Sequence, residues 1–310
     1  MESVGFVHVD LIKTIGALQI GSLFGVYLFG IVSLQAHNYY KIHSDDGWTY
    51  KLLVAAIWLL ETGHTLCISY EVYRVTIIQY GEPQFLVRFQ AMGVSTLFGG
   101  LITLLVQGFF SIRIFRLLPK PYNHIGTLCL VASLVRIGIS IFLMIEGVLV
   151  STLVGYNIKY KTWISVTFIL GASIDVTIAA SMLYYLLRKR SIAMKRLTRI
   201  IDRLITYTIR SGLVTSMSAV ILTICYRSMN NNFIWMAVYT FLAKLYSNSL
   251  LSALNSRQEI RNDANRMSVV NFPTDLNLSG DSSVPSSYGQ HAMVLRDKAP
   301  MDAFKMEERV

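Results

Sequence analysis

Five ionisable side chains stand inside otherwise apolar runs of this sequence: Glu61, His64, Arg136, Asp175 and Lys244. A charged group costs about 2.5–3.5 kcal/mol at the centre of a hydrocarbon layer, so its presence asks for a partner or a task. Two acids and two bases at one depth can neutralise each other and lock helices together. They can equally line a site for a small ligand or an ion. His64 follows Glu61 by three residues and shares its helical face. Which of these groups meet depends on helix rotation, which spacing leaves open.

Lys244 raises the chemistry of a retinal Schiff base. That chemistry wants an acid close to the lysine, usually from the third helix, and residues 89–112 contain neither Asp nor Glu. A zinc site needs several ligands facing one pocket, and of six histidines only His64 is deep in an apolar run. Cys67, Cys129 and Cys225 each sit in an apolar stretch without C-x-x-C spacing, as packing residues do. With no Gly-rich phosphate loop and no nucleophile elbow, the expectation is a non-enzymatic protein without a cofactor.

The elements that must position these groups follow from composition. The chain has 310 residues, a net charge of +10, 53% hydrophobic residues and 15% charged ones. A soluble domain carries roughly 25% charged residues, and the mean hydropathy here is +0.49. These values exclude a soluble enzyme and disfavour a nucleic-acid partner. A spanning helix needs about 20 mostly apolar residues. Seven such stretches are predicted, near Ile15–Ala36, Leu52–Tyr73, Phe89–Ile112, Ile125–Leu149, Thr162–Leu187, Leu204–Tyr226 and Phe233–Leu254. The expected fold is all-α, a polytopic seven-helix membrane bundle over residues 1–256. The N-terminus lacks a basic run before its first apolar stretch, so no cleavable signal is expected.

Orientation follows from Lys and Arg in the short loops. With the N-terminus outside, twelve fall on the cytoplasmic side and six outside. Seven of the twelve lie between the fifth and sixth stretches: Arg188, Lys189, Arg190, Lys195, Arg196, Arg199 and Arg203. This basic loop suits anionic lipid at the cytoplasmic face, worth about 1 kcal/mol per residue near the surface, or a cytoplasmic signalling partner. Arg210 lies close enough to the inner boundary to snorkel to the headgroups. From Arg257 onward the chain turns polar, and residues 257–310 are expected to be a disordered cytoplasmic tail. The triplet Asn277-Leu278-Ser279 within it reads as a chance glycosylation match.

Common receptor signatures are missing. The third stretch ends Ile112-Arg113-Ile114-Phe115-Arg116, and the seventh carries Asn248-Ser249-Leu250-Leu251. The small-xxx-small run Gly21-Ser22-Leu23-Phe24-Gly25 and the pair Gly99-Gly100 favour close helix packing within the bundle.

Ser173-Ile174-Asp175-Val176-Thr177-Ile178-Ala179 and Leu183-Tyr184-Tyr185-Leu186 carry a family likeness. So do Ile201-Asp202-Arg203-Leu204-Ile205, Tyr207 to Ser216, and Lys244 to Arg257, the most specific block. Together they resemble basidiomycete (mushroom-type fungal) seven-helix membrane proteins with a domain of unknown function over their last three helices, here about 171–257. Gly21–Gly25 and Leu59–Thr65 resemble that family's first two helices. One departure is Glu61, where the likeness leads one to expect Asp. The resemblance implies a multi-pass protein of the plasma membrane or an endomembrane and supplies no ligand or catalytic residue. The leading expectation is a receptor-like sensor for a small ligand of unknown identity. A small-solute or proton transporter or channel is the alternative, and a structural or lipid-organising membrane protein is a third reading.

Overall fold

The structure, a computed structural model, describes residues 12–79, 90–149, 153–192, 195–228 and 234–269. Every described element is helical. Seven α-helices follow in order among the described residues: α1 (Ala17–Ile42), α2 (Trp48–Tyr73), α3 (Gln90–Leu117), α4 (His124–Leu149), α5 (Leu153–Ile192), α6 (Lys195–Ser228) and α7 (Ile234–Val269). Five-residue π-helical turns lead into α1 (Ile12–Gly16) and out of α2 (Arg74–Ile78). The chain divides into two compact units, Met1–Arg261 and Asn262–Val310. All side-chain geometry below belongs to the first.

Local chemistry sets the helix ends. Pro119 and Pro121 cannot supply the amide hydrogen bonds of a continuing helix, so α3 stops at Leu117. The amides of His124, Ile125 and Gly126 then donate to the carbonyls of Pro121, Tyr122 and Asn123 and start α4. Glu71, buried near the end of α2, accepts the Met92 amide in the first turn of α3 at 3.2 Å and pairs with Arg74. A carboxylate at that position satisfies an amide with no helical partner and meets the positive end of the helix dipole.

Five helical segments are long and apolar enough to cross a membrane: Thr14–Ile42, Trp48–Ile78, Ala91–Leu117, His124–Leu149 and Gly155–Arg190. Their outward faces carry large bare side chains, with Ile20 71% and Leu128 69% exposed. A contiguous apolar face of this kind belongs in lipid or against a partner. The chain is therefore a multi-pass membrane protein by the length and composition of its helices.

The expected seventh span differs from these five. Of the sixth, the part of α6 whose side chains are described, Gly212–Ser228, is apolar. α7 fails on composition for a packing reason. From Ile234 to Arg257 none of its residues is exposed, so it does not need a lipid-facing surface. It forms the axis of the main core, where Leu242, Leu250 and Leu254 pack with Val32 of α1, Ile57 of α2 and Ile102 of α3. Serine, asparagine and lysine are tolerated on α7 because neighbouring helices cover them.

Two further expectations change. The basic loop is largely helical, with α5 running to Ile192 and α6 starting at Lys195. The polar segment expected to be disordered from Arg257 begins as helix, since α7 continues to Val269. Residues 270–310, including the Asn277 triplet, lie outside the described residues. So do the N-terminal residues that bear on a signal sequence.

Candidate functional site

The five ionisable groups separate into a closed cluster and a partly open one. In the closed cluster, α2 presents Glu61 and His64 while α7 presents Lys244 and Ser247. Each pair is spaced i, i+3 and so shares one face. Lys244 Nζ lies 3.0 Å from Glu61 Oε2 and 2.5 Å from His64 Nδ1. Ser247 Oγ donates to Glu61 Oε1 at 2.6 Å. An ammonium has only donors, so His64 Nδ1 accepts and the ring proton resides on Nε2. All four residues are sealed from solvent. The acid beside Lys244 thus comes from α2, not from the third helix where a retinal-type counter-ion was sought.

Small residues on α1 make room for this arrangement. A Cβ on Gly21 would fall 2.7 Å from the Ala237 backbone, and one on Gly25 would touch Thr240 and the Lys244 stem. The small-xxx-small run is therefore the seat of α7. Asn248 Nδ2 reinforces it by donating to the carbonyls of Lys244 (2.8 Å) and Leu28 (3.3 Å).

Asp175 does not meet Lys244. It accepts hydrogen bonds from Gln107 Nε2 at 2.8 Å and from the Tyr246 hydroxyl. Ser133 in turn donates to Gln107 Oε1 at 3.0 Å, so one network ties α3, α4, α5 and α7. Tyr246 is two positions from Lys244, a rotation of about 200° at 3.6 residues per turn. α7 therefore serves the two clusters from opposite faces.

Arg136 belongs to neither pair. Its Nε donates to the Thr167 carbonyl at 3.2 Å, and its guanidinium carbon lies 2.9 Å from where a Cβ of Gly171 would stand. Glycine at 171 is what lets the planar head lie against α5. Arg136 also lines a cavity of about 1080 Å³, counting the part open to the outside. Lining positions come from the first turns of α3, α5 and α7 and the last turns of α4 and α6, which sets the cavity in one half of the bundle. Its walls are mainly apolar and aromatic, with Phe168 ring centroids 6.4 Å from both Trp235 and Tyr239. Thr96, Ser140, Thr167 and Tyr156 add polar edges.

A second cavity, of about 430 Å³, lies toward the other end of the bundle, lined by Gln107, Phe110, Asp175, Met182 and Thr215 among others. Tyr246 lines both cavities. Lys244, Glu61 and His64 line neither. Among the described residues no group of three or more His, Cys, Asp or Glu side chains converges as a metal site.

At the bundle end beyond the second cavity, the turn between α1 and α2 is tied to α7. Asp46 Oδ2 accepts from the Tyr39 hydroxyl at 2.7 Å and from Arg257 at 2.5 Å. The Arg257 guanidinium also lies 4.8 Å from the centre of the Tyr50 ring. His43 stacks on Tyr39 with centroids 5.0 Å apart. Burial first, and the nearby Arg257 charge second, hold its imidazole pKa below the usual 6.5.

Of the basic segment, Arg188, Lys189 and Arg190 project at the exposed end of α5, with Lys189 5.8 Å from the Tyr185 ring centre. Lys195, Arg196, Arg199, Arg203 and Arg210 stand on α6, and their side chains lie outside the described residues. The three cysteines are free, Cys129 buried and the others half-buried.

A search for charge alone overlooked Gln107, Tyr246 and Ser247, which complete both clusters, and the aromatic wall of the cavity. The usable signal for Gln107 was an uncharged amide inside an apolar run, which incurs the same kind of desolvation cost as a charge, only smaller.

Comparison with known proteins places one part of the chain. Residues 171–259 match the model of a family of unknown function, DUF6534. The match spans α5 from the Arg136 contact at Gly171, all of α6, and α7 through Glu259. It coincides with the domain of unknown function expected at about 171–257. No curated protein and no solved structure matches the chain. Asp175, Lys244, Tyr246 and Ser247 fall inside the matched segment, whereas Glu61, His64, Gln107 and Arg136 lie outside it.

Proposed function

We propose that the protein is a receptor-like sensor with seven spans, its N-terminus outside and its C-terminus cytoplasmic, related to the basidiomycete seven-helix proteins it resembles. The observation that carries this reading is the cavity beside Arg136. The N-out orientation places that cavity in the outer half, where a ligand could enter from the extracytoplasmic side. Its wall is part of α7, through Trp235, Tyr239, Ala243 and Tyr246. A ligand that moves α7 acts on the Arg257–Asp46 contact at the other end and on the neighbouring basic ends of α5 and α6. The readout is a change in a cytoplasmic output.

The test is ligand-induced stabilisation of the purified protein in nanodiscs, repeated with Ala243→Phe to fill the cavity, alongside signalling after deletion of Arg188–Arg203. A ligand that stabilises the native chain and fails on the filled one, with signalling lost on deletion, supports a sensor. No saturable ligand and no change in output would sink it.

A second reading, small-solute or proton transport, is favoured by one feature. Tyr246 stands between the two cavities with its hydroxyl on Asp175. Under this reading reconstituted vesicles show flux that Asp175→Asn abolishes, and unchanged flux removes the reading.

A further inference from the structure

The two intramembrane cations are not equivalent. The Lys244 ammonium has a carboxylate at 3.0 Å and is sealed. Arg136 lines the cavity shared with Phe168 and Trp235, and no carboxylate among the described residues lies within ion-pair distance of it. The acids nearest along its surroundings are occupied elsewhere. Asp175, one turn beyond Gly171 on α5, feels the Arg136 charge through space but gives its hydrogen-bonding oxygens to Gln107 and Tyr246. Glu146, ten residues along α4, accepts from the Tyr160 hydroxyl at 2.5 Å. Of the five N–H donors of a guanidinium, only Nε–H is directed to an acceptor among the described residues, the Thr167 carbonyl.

From this placement we infer that the cavity is a binding site for a small monocarboxylic acid with an apolar body. Its carboxylate would sit on the free edge of the Arg136 guanidinium, and its alkyl or aryl body among Phe168, Trp235 and Tyr239. The inference rests on the sensor reading only for the site's purpose, not for its chemistry. Three features select this class. A planar guanidinium fork matches a carboxylate with two parallel hydrogen bonds and is weakly hydrated, so it functions in a dry pocket. One cation balances one negative charge; a dianion would leave an uncompensated charge between apolar walls. The walls are wide and aromatic, which favours a hydrophobic body over a polar metabolite. Gly171 is the positioning element, because any side chain there would displace the guanidinium.

Titration calorimetry on the full chain in phosphatidylcholine nanodiscs tests this, with 4-phenylbutyrate as probe and 4-phenylbutyramide as its neutral counterpart. Saturable binding of the acid with little or none of the amide is the expected result. Arg136→Gln should weaken the acid by about thirtyfold or more, as loss of one partner of a desolvated charge pair does, and Arg136→Lys should retain part of it. The comparison of acid with amide uses the native chain, so it stands even where a variant fails to fold. A parallel arm replaces phosphatidylcholine with phosphatidylglycerol. Acid binding that survives there identifies a free acid as the occupant; competition by the lipid identifies an anionic headgroup as the source of the monoanion and overturns the free-acid assignment. Equal binding of acid and amide, binding unaffected by Arg136→Gln, or no binding of the acid, overturns the proposal. Failure of the sensor reading looks different: the acid binds and no cytoplasmic output changes.

Discussion

The α2–α7 cluster and the Arg136 cavity solve the same problem in opposite ways. Each places a cation deep in an apolar helix bundle, at a cost of about 2.5–3.5 kcal/mol on insertion scales. At Lys244 the cost is offset locally, by Glu61, His64 and a seat of small residues on α1. At Arg136 the protein supplies one hydrogen-bonded backbone carbonyl, the through-space charge of Asp175 and an open volume. A group whose partners are all internal contributes to holding the fold. A group that faces space is available to something that is not part of the fold. Charge and depth were alike at the two positions; the difference lies in what surrounds them.

The largest expected effect separates the two directly. Lys244→Met leaves Glu61 as an uncompensated buried charge and should cost about 3–5 kcal/mol. The readout is loss of monodisperse protein in detergent, partly restored in the double variant Lys244→Met with Glu61→Gln. Arg136→Met should remain folded under the same assay. If the two variants lose folded protein equally, the contrast between the clusters fails.

Next in size is the seat of α7. Gly21→Val forces side-chain atoms onto the Ala237 backbone, and overpacking of this kind costs about 1–3 kcal/mol. Thermal unfolding should register it, while Gly30→Val, where nothing lies within 4 Å of the added Cβ, should be close to neutral. Tyr246→Phe removes one of the two side-chain donors to Asp175 and should cost about 1 kcal/mol. A double-mutant cycle should give coupling between Asp175 and Tyr246 and little between Asp175 and Lys244. Coupling of the reverse pattern would mean that α7 is rotated relative to its neighbours.

The smallest effect concerns the far rim. His43 has a folded pKa below its unfolded value, so its contribution is full above about pH 6.5 and is lost as pH falls through the folded pKa. The melting temperature should therefore decline slightly on acidification below that range, and His43→Asn should flatten the decline. A decline of unchanged size in the variant would assign it to other groups.

Much of the helical plan was legible from hydropathy, because α1 to α5 each carry a lipid-facing stripe and must be apolar along it. α7 was the exception that the same logic explains: enclosed on all sides, it is free to carry Lys244, Ser247 and Asn248. The candidate residues were legible as costly groups, but their pairing was not. Spacing put Glu61 and His64 on one face, yet nothing in it could say that α7 would turn Lys244 toward α2 and Tyr246 toward α5. The cavity was invisible for a related reason, since Phe168, Trp235 and Tyr239 read as ordinary core until α5 and α7 bring them together. Gly171 carried a usable signal only in hindsight, as a missing side chain opposite a charged one.

The contrast between a sealed cluster and an accessible cavity is tested most directly by cysteine accessibility. In a background with Cys67, Cys129 and Cys225 replaced by serine or alanine, Thr96→Cys places a thiol in the cavity wall and Ser247→Cys places one in the sealed cluster. A membrane-impermeant thiol reagent is applied from the extracytoplasmic side of intact cells. Labelling at position 96 with none at position 247 is the expected result. Labelling at both positions, or at 247 alone, would contradict the account.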